Sequence, residues 1–316
     1  GYYDLTLSGK KGYREGDSDA KGSPILLGNF KESSALMGVD LVTTIDKTVQ
    51  LTIEKKLKEG IEKYGAIGGS VVVMDPKSGK ILGMASYPSF NPKKYNEYSD
   101  ALFKNPVISD TFEPGSIFKV LIMASALDSK AVRPDTICDT CSGPLKVDKY
   151  EIETWDNKYY PDSTMTDVIL HSDNIGMAFV GQKLGADTLY DYLDKFGIGK
   201  ETEIDLQGEV ALPLRKKGTW NIVDLATAAF GQGVAVTSIE MIRAVAGVAN
   251  DGMMPTPHVV SALKGEGWQE EIKPKTERVI SESAAEEMTA IMVNDGKNGE
   301  AKWTSLRGFI VAGKTG

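Results

Sequence analysis

The stretch FEPGSIFKVLIMASAL, from Phe112 to Leu127, places a serine directly before a run of apolar residues. Pro114 and Gly115 interrupt regular structure, and the residues after them are hydrophobic on nearly every face of a helix. A helix that is apolar all round is buried. The sequence therefore predicts a buried helix that begins near Ser116.

Ser116 and Lys119 form a Ser-x-x-Lys pattern at the start of this helix. Residues three apart share one helical face, so we expect the Lys119 amine beside the Ser116 hydroxyl. Burial disfavours a charged lysine, which would let Lys119 act as a base on the serine, and the first N–H groups of the helix would stabilise an oxyanion. The same pattern at Ser8 and Lys11 lies in polar, glycine-rich sequence, and we expect no such role there.

A second triplet, Ser172-Asp-Asn174, precedes the helical stretch IGMAFVGQKLG. One interpretation is structural, because serine and asparagine are common helix caps. The other is catalytic: Ser172 would relay a proton between Lys119 and a leaving amine, and Asn174 would hold the substrate amide.

A third triplet, Lys314-Thr-Gly, follows the apolar residues FIVA, which predict a strand. Gly316 would let a substrate backbone approach the strand edge closely. Lys314 would add a positive field that favours a neutral Lys119, and the Thr315 hydroxyl would bind a substrate carboxylate. Since the predicted strand has barely reached its turn, we expect the native protein to continue.

The remaining sequence predicts an α+β fold with helices packed on an antiparallel sheet. Asp46 is the expected N-cap of an amphipathic helix that ends near Gly65. SVVVM, DPKSG and KILGMAS read as a β-hairpin. Further helices are predicted over three stretches: Ile117–Leu127, Ile175–Leu184 and Ser238–Ala249.

The first 40 residues are rich in Gly, Lys, Asp and Ser and show no sustained period, which predicts an extended, linker-like segment. Residues 41–316 are interpreted as one domain. With 41% hydrophobic residues, the chain can bury a sizeable core. The longest apolar run, Val120 to Leu127, is far shorter than the ~20 residues that cross a bilayer, so we expect any membrane anchor outside this chain.

Composition also argues against two classes of function. A net charge of −8 offers no basic surface for phosphates, which excludes nucleic acid as the expected partner. The chain has only two histidines, His171 and His258, and no Gly-x-Ser-x-Gly motif, which leaves little for a Ser-His-Asp hydrolase.

The only cysteines, Cys138 and Cys141, have the spacing of a zinc-binding pair. Asp156 and His171 would complete a ligand set of two thiolates, a carboxylate and an imidazole. We favour a structural zinc as a hypothesis. A disulfide and two free thiols are the alternatives that the spacing leaves open.

In combination, the three triplets resemble the signature shared by penicillin-binding proteins and class A β-lactamases. The chain is most similar to class B, monofunctional penicillin-binding proteins, and the resemblance covers residues 40–316. It is carried by four stretches: Asp40–Gln50, Gly69–Pro92, Phe112–Val120 and Phe230–Met241. The resemblance implies the transpeptidase fold that these proteins share with serine β-lactamases, with its C-terminal part missing, and makes residues 1–40 the tail of an N-terminal pedestal.

The resemblance further implies a D,D-transpeptidase that needs no cofactor for its chemistry. Ser116 would attack a D-Ala-D-Ala stem peptide, and β-lactams would acylate the same serine. The family works on the outer face of the bacterial cytoplasmic membrane, with other cell-wall synthesis proteins as partners, and some elongation-type relatives carry zinc. In the family, the residue after the Lys-Thr-Gly triplet supplies the second oxyanion N–H, so a protein that ended at Gly316 would lose ~10² to 10³ in rate.

Two alternatives to a transpeptidase remain. A β-lactamase or a β-lactam-sensing receptor uses the same first motif, but a class A β-lactamase needs a glutamate that activates a deacylating water. A cell-wall scaffold without chemistry would leave Ser116 inert.

Overall fold

The computed structural model describes residues 1–17, 21 and 30–316. Its α-helices are α1 (Asp4–Ser8), α2 (Lys47–Tyr64), α3 (Pro106–Ser109), α4 (Lys119–Asp128), α5 (Met165–Leu170), α6 (Asn174–Leu184), α7 (Ala186–Lys195), α8 (Ile222–Ala228), α9 (Ser238–Ala249) and α10 (Glu282–Asn298). Short 3-10 helices occupy Pro92–Glu97, Asp100–Phe103, Gly115–Phe118 and Glu300–Thr304.

The strands pair in small sheets, and every pairing between these strands is antiparallel. They are β1 (Tyr13–Gly16), β2 (Phe30–Ser33), β3 (Asp40–Thr43), β4 (Gly69–Met74), β5 (Ile81–Tyr87), β6 (Thr111–Phe112), β7 (Leu145–Val147), β8 (Tyr150–Ile152), β9 (Val236–Thr237), β10 (Met253–Pro255), β11 (Val260–Gly265), β12 (Trp268–Glu271) and β13 (Thr276–Arg278). One sheet has the order β12-β11-β3, and β4 and β5 form the predicted hairpin.

Helix α2 begins and ends where the sequence predicts. The Asp46 carboxylate accepts hydrogen bonds from two amides of the first turn, at 2.8 and 2.9 Å, and Gly65 ends the helix at a positive φ of 64°. The Gln50 side chain binds both backbone groups of Met84 in β5, at 2.9 and 2.8 Å. These bonds fix α2 across the hairpin, whose β4 strand also contacts α3 and α9. The predicted α+β arrangement is confirmed.

Helix α4 forms the centre of the main hydrophobic core. It is buried at nine of its ten positions, as its all-round apolar sequence predicts. Helices α6, α7, α9 and α10 pack against it and contribute fully buried side chains, among them Ile175, Leu193, Ala244 and Met288. Because α4 follows Ser116 directly, the start of this helix has a fixed position in the molecule.

The N-terminal segment is more regular than the sequence suggests. Within it, α1 is helical and β1 pairs with β2, so the prediction of an extended segment is wrong for these parts; residues 18–20 and 22–29 lie outside the described residues. The Tyr3 hydroxyl donates to an Asp205 carboxylate oxygen at 2.7 Å, which ties α1 to the main body.

The apolar FIVA stretch forms no strand in the described part of the chain, contrary to the prediction. The Gly313 N–H instead donates to the Met292 carbonyl of α10, at 3.3 Å, so this stretch lies against a helix rather than a neighbouring strand. Among the described residues, no helix combines the length and apolar character needed to cross a membrane.

Candidate active site

Ser116 lies on a turn that is held in place by a glycine-containing loop at residues 231–233, referred to below as the loop behind Ser116. The Gly115 N–H donates to the Gly231 carbonyl at 3.0 Å, and the Gly233 N–H donates to the Glu113 carboxylate at 2.9 Å. A Cβ on Gly231 would lie 2.1 Å from the Gly115 carbonyl oxygen, so only glycine permits this approach. The turn is the 3-10 helix that runs directly into α4, and its first amides have no partner within the helix.

The Lys119 side chain is completely buried at the start of α4. Its Nζ lies 2.6 Å from the Ser172 carbonyl oxygen, 2.7 Å from Asn174 Oδ1 and 3.2 Å from Ser172 Oγ. A neutral amine fits these partners, because it can donate to the first two and accept a hydrogen bond from the hydroxyl. The hydrogen bonds of Lys119 therefore go to the second triplet, and the Ser116 hydroxyl is not among its partners.

The pKa of Lys119 is lowered from 10.5 to about 7, chiefly by burial and secondly by the positive charge of Lys314. Asp173 opposes both effects through its negative charge. At neutral pH, a substantial share of Lys119 is therefore an uncharged base.

Helix α6 is capped by Asp173, whose carboxylate accepts hydrogen bonds from the amides of Ile175 and Gly176, at 2.7 and 3.3 Å. The interpretation of Ser172 or Asn174 as the cap is therefore wrong, and both side chains are directed to Lys119 instead. Ser172 has a φ of 52°, a left-handed conformation that non-glycine residues rarely adopt. Such strained residues cluster at functional sites.

A cavity of about 410 Å³ brings the three triplets together. Predicted site residues that line it are Ser116, Ser172, Asn174, Thr315 and Gly316. Trp155 and Glu300 also line it, and the sequence analysis missed both. Trp155 lies in a turn and Glu300 begins a 3-10 helix far along the chain, and neither belongs to a motif, so only the folded structure could reveal them.

Lys314 is partly buried and lies near this cavity, where its Nζ donates to the Thr315 carbonyl at 3.1 Å. Burial lowers the pKa of Lys314, whereas the negative charges of Asp295 and Glu300 raise it. The predicted influence of Lys314 on Lys119 agrees with this placement, since its charge is the second cause of the lowered Lys119 pKa.

The zinc hypothesis is wrong in this structure. Cys138 and Cys141 form a disulfide, so neither sulfur is available as a thiolate ligand. Asp156 forms an ion pair with the lysine two residues on, at 3.0 Å, and His171 stacks on the Tyr160 ring at 3.8 Å. The described residues contain no cluster of His, Cys, Asp and Glu that fits a metal ion.

The model of the penicillin binding protein transpeptidase domain matches residues 69–316. The chain belongs to the penicillin-binding protein transpeptidase family. The resemblance to class B members and the fold expected from it are thereby confirmed. The four stretches that carry the resemblance have structural roles here: two of them form the Ser116 turn and the loop behind it.

Among relatives of this transpeptidase domain, the chain is 33% identical to the stage V sporulation protein D of Bacillus subtilis, over 100% of this chain and 50% of that protein. It is 32% identical to the probable peptidoglycan D,D-transpeptidase PbpC of Pseudomonas aeruginosa, over 98% of this chain and 53% of that protein. The chain thus spans about half the length of these relatives.

A solved structure of penicillin binding protein 3 from Mycobacterium tuberculosis, complexed with aztreonam, is also similar. Its TM-score is 0.80 at 25% identity, and the match covers 96% of this chain and 70% of that chain.

Proposed function

We propose that this transpeptidase domain is a peptidoglycan D,D-transpeptidase that cross-links stem peptides through an acyl-serine intermediate. The observation that carries the proposal is a buried Lys119 with a pKa of about 7, hydrogen-bonded to Ser172 and Asn174 at the cavity that holds Ser116. A base, a relay hydroxyl and a nucleophile then lie in one place.

The first half of the reaction forms the acyl-enzyme. The Ser116 oxygen attacks the carbonyl carbon of the D-Ala-D-Ala peptide bond, and its proton passes to neutral Lys119. The backbone N–H of Ser116, in the 3-10 turn, stabilises the tetrahedral oxyanion. The C–N bond then breaks, and the departing D-alanine nitrogen receives a proton from Lys119 through Ser172, whose hydroxyl lies 3.2 Å from the amine.

In the second half, an amine of a stem peptide on a neighbouring peptidoglycan strand attacks the ester carbonyl. It gives its proton to Lys119 by the reverse route, the ester bond breaks and the proton returns to Ser116. Asn174 binds the substrate amide, Lys314 and Thr315 bind the terminal carboxylate, and Gly316 lets the substrate backbone approach. No step requires a metal or an organic cofactor, since the side chains supply the base, the nucleophile and the charge.

A β-lactam would react at the same serine. Attack on the ring carbonyl breaks the ring C–N bond, but the nitrogen stays attached to the acyl group, so no small product leaves. The adduct therefore weighs as much as the protein and the antibiotic together. The similar structure in complex with aztreonam supports this part of the proposal.

A β-lactamase is the second candidate, and one observation bears on it. Glu300 lines the Ser116 cavity, where a carboxylate could activate a water. The names of the similar proteins favour the transpeptidase, and deacylation kinetics separate the two.

We further propose that the chain works on the outer face of the bacterial cytoplasmic membrane, alongside other cell-wall synthesis proteins, with residues 41–316 as the transpeptidase domain and residues 1–40 as the end of a pedestal. Membership of the transpeptidase family supports this setting, because the peptidoglycan that such a domain would cross-link lies outside the cytoplasmic membrane.

The test is intact-mass spectrometry of the full-length protein after incubation with benzylpenicillin. We expect a persistent adduct of one antibiotic per chain that Ser116→Ala abolishes. Ser8→Ala is the matched control, because Ser8 stands in the second Ser-x-x-Lys pattern and should leave the adduct unchanged. Rapid loss of the adduct would favour a β-lactamase, and no adduct at all would reject both enzymes.

A further inference from the structure

Asp295 is a buried carboxylate without an evident structural purpose. It lies on α10, its residue is completely inaccessible to solvent, and neither carboxylate oxygen accepts a hydrogen bond of ordinary geometry from the described residues. An isolated buried charge is among the most costly features a protein can carry. Such a group is either neutral or compensated by a nearby opposite charge.

The packing of α10 indicates where that charge is. The chain that leads to the Lys-Thr-Gly triplet lies directly on this helix: the Gly313 N–H donates to the Met292 carbonyl at 3.3 Å, and a Cβ on Gly296 would lie 2.4 Å from the Val311 oxygen. Asp295 stands between these two contacts along the helix. Residues three and four apart share a face, so Asp295 is on the face that meets this chain.

Asp295 and Lys314 are each the strongest charged influence on the pKa of the other. Burial is the largest influence on Asp295 and leaves its pKa above the ordinary value. Lys314 is the first influence that lowers this pKa, followed by the amides of Ala301 and Glu300, and the Glu300 carboxylate raises it. Burial lowers the pKa of Lys314, and the negative charges of Asp295 and then Glu300 raise it. The remaining nearby acid, Asp173, acts on Lys119, whose pKa it raises.

We propose that Asp295 is a positioning residue, a buried carboxylate whose negative charge keeps Lys314 protonated beside the Ser116 cavity. Its importance for catalysis rests on the proposed function, because only there does Lys314 bind a substrate carboxylate. Its action on Lys314 does not depend on that function. A protonated Lys314 also favours neutral Lys119, so one buried acid supports both lysines.

Gly299 supports the same geometry. A Cβ at this position would lie 2.0 Å from Asp295 Oδ1 and 2.9 Å from the Leu170 oxygen. The φ of Gly299 is −100°, which any residue can adopt, so space rather than backbone conformation demands glycine here. Gly299→Ala should therefore displace the Asp295 carboxylate without altering its charge.

The direct test is an NMR titration of Lys314 in full-length protein labelled with ¹³C in its lysine side chains, with the Lys314 signal assigned from its loss in Lys314→Gln. Asp295→Asn keeps the shape of the side chain and removes the charge. We expect the Lys314 pKa to fall by about 1 unit or more in Asp295→Asn and to fall in Gly299→Ala. Glu287→Gln, on the exposed face of α10, is the matched control and should cause no change.

Acylation by benzylpenicillin supplies the catalytic readout. If deprotonation of Lys314 ends activity at high pH, a lower Lys314 pKa moves the alkaline limb of the rate profile to lower pH. The acid limb stays in place, because Lys314 is still protonated there in the variant. A residue that merely filled space would reduce the rate equally at every pH.

An unchanged Lys314 pKa in both Asp295→Asn and Gly299→Ala would overturn the proposal, and either variant alone decides it if the other does not fold. An unreactive wild-type protein with a shifted Lys314 pKa would refute the transpeptidase function and leave the counter-ion role established.

Discussion

Three influences of different sign set the protonation of Lys119, and they come from three parts of the chain. Burial in α4 and the charge of Lys314 favour the neutral amine, whereas the charge of Asp173 favours the ammonium. The balance leaves the pKa at about 7, where a general base is most effective. In the proposed mechanism, the reactivity of Ser116 therefore depends on residues that do not contact it.

Removal of the charge at position 314 should raise the pKa of Lys119. We expect Lys314→Gln to shift the acid limb of the acylation profile to higher pH, in addition to weakening the rate, because the variant retains a protonated Lys119 over a wider range. The measurement is the acylation rate of benzylpenicillin as a function of pH. Lys297→Gln, an exposed lysine on α10, is the control. A limb that did not move would show that the two lysines are not coupled.

At this scale, sequence reasoning predicted the members of the site better than their contacts. It selected Ser172 and Asn174 correctly as neighbours of Lys119, but it could not identify Asp173 as the cap, because all three residue types cap helices. The spacing of Cys138 and Cys141 suits zinc and a disulfide alike, since it constrains distance and not oxidation state.

Among the elements, the loop behind Ser116 determines where the 3-10 turn begins. Gly231 has a φ of 81° and no room for a Cβ, since the Gly115 oxygen would lie 2.1 Å away. The position of Ser116 thus depends on a loop more than a hundred residues further along the chain. Sequence periodicity cannot predict a contact of this kind, although it predicted the helix that follows.

We expect Gly231→Ala to lower the acylation rate by about 10²-fold, because a displacement near 1 Å of a reacting group has such an effect. Gly218→Ala is a matched control: its φ is 79°, but no atom lies within 4 Å of its added Cβ. Both variants carry a similar backbone strain of roughly 1 kcal/mol. Equal acylation rates in the two variants would show that the contact with Gly115 is unimportant.

The contrast between local sequence signals and contacts with distant residues also explains which elements the sequence predicted. Helix α2 and the β4–β5 hairpin are specified by local signals, a cap and turn residues, and both match the structure. The FIVA stretch has the composition of a strand, but a strand requires a partner, and among the described residues this stretch packs on α10 instead.

For the whole molecule, the N-terminal segment is joined to the body through Tyr3 and Asp205. The Asp205 carboxylate accepts the Tyr3 hydroxyl at 2.7 Å and also the amides of Val259 and Val260, at 2.7 and 3.0 Å. The Asp205 carboxylate thus connects the start of α1 with the first residue of β11 and with the residue before it. Composition predicted only a linker here. The attachment was missed because a hydrogen bond between residues 202 positions apart leaves no local pattern in the sequence.

Tyr3→Phe should lower the free energy of unfolding by about 1–2 kcal/mol, since it removes a hydrogen bond to a carboxylate and retains the ring. The measurement is urea denaturation. Tyr2→Phe is the control, because Tyr2 is 60% exposed and its ring packs against Tyr3 through an edge. Equal stability of the two variants would mean that the segment is not held by this bond.

The central claim is that a buried, largely neutral Lys119 activates Ser116. The most direct measurement is the rate of acylation by benzylpenicillin from about pH 5 to about pH 9 in the full-length wild-type protein. We predict a rate that rises about tenfold per pH unit in the acid range and levels off near the Lys119 pKa of about 7. A rate that did not change with pH across this range would contradict the account.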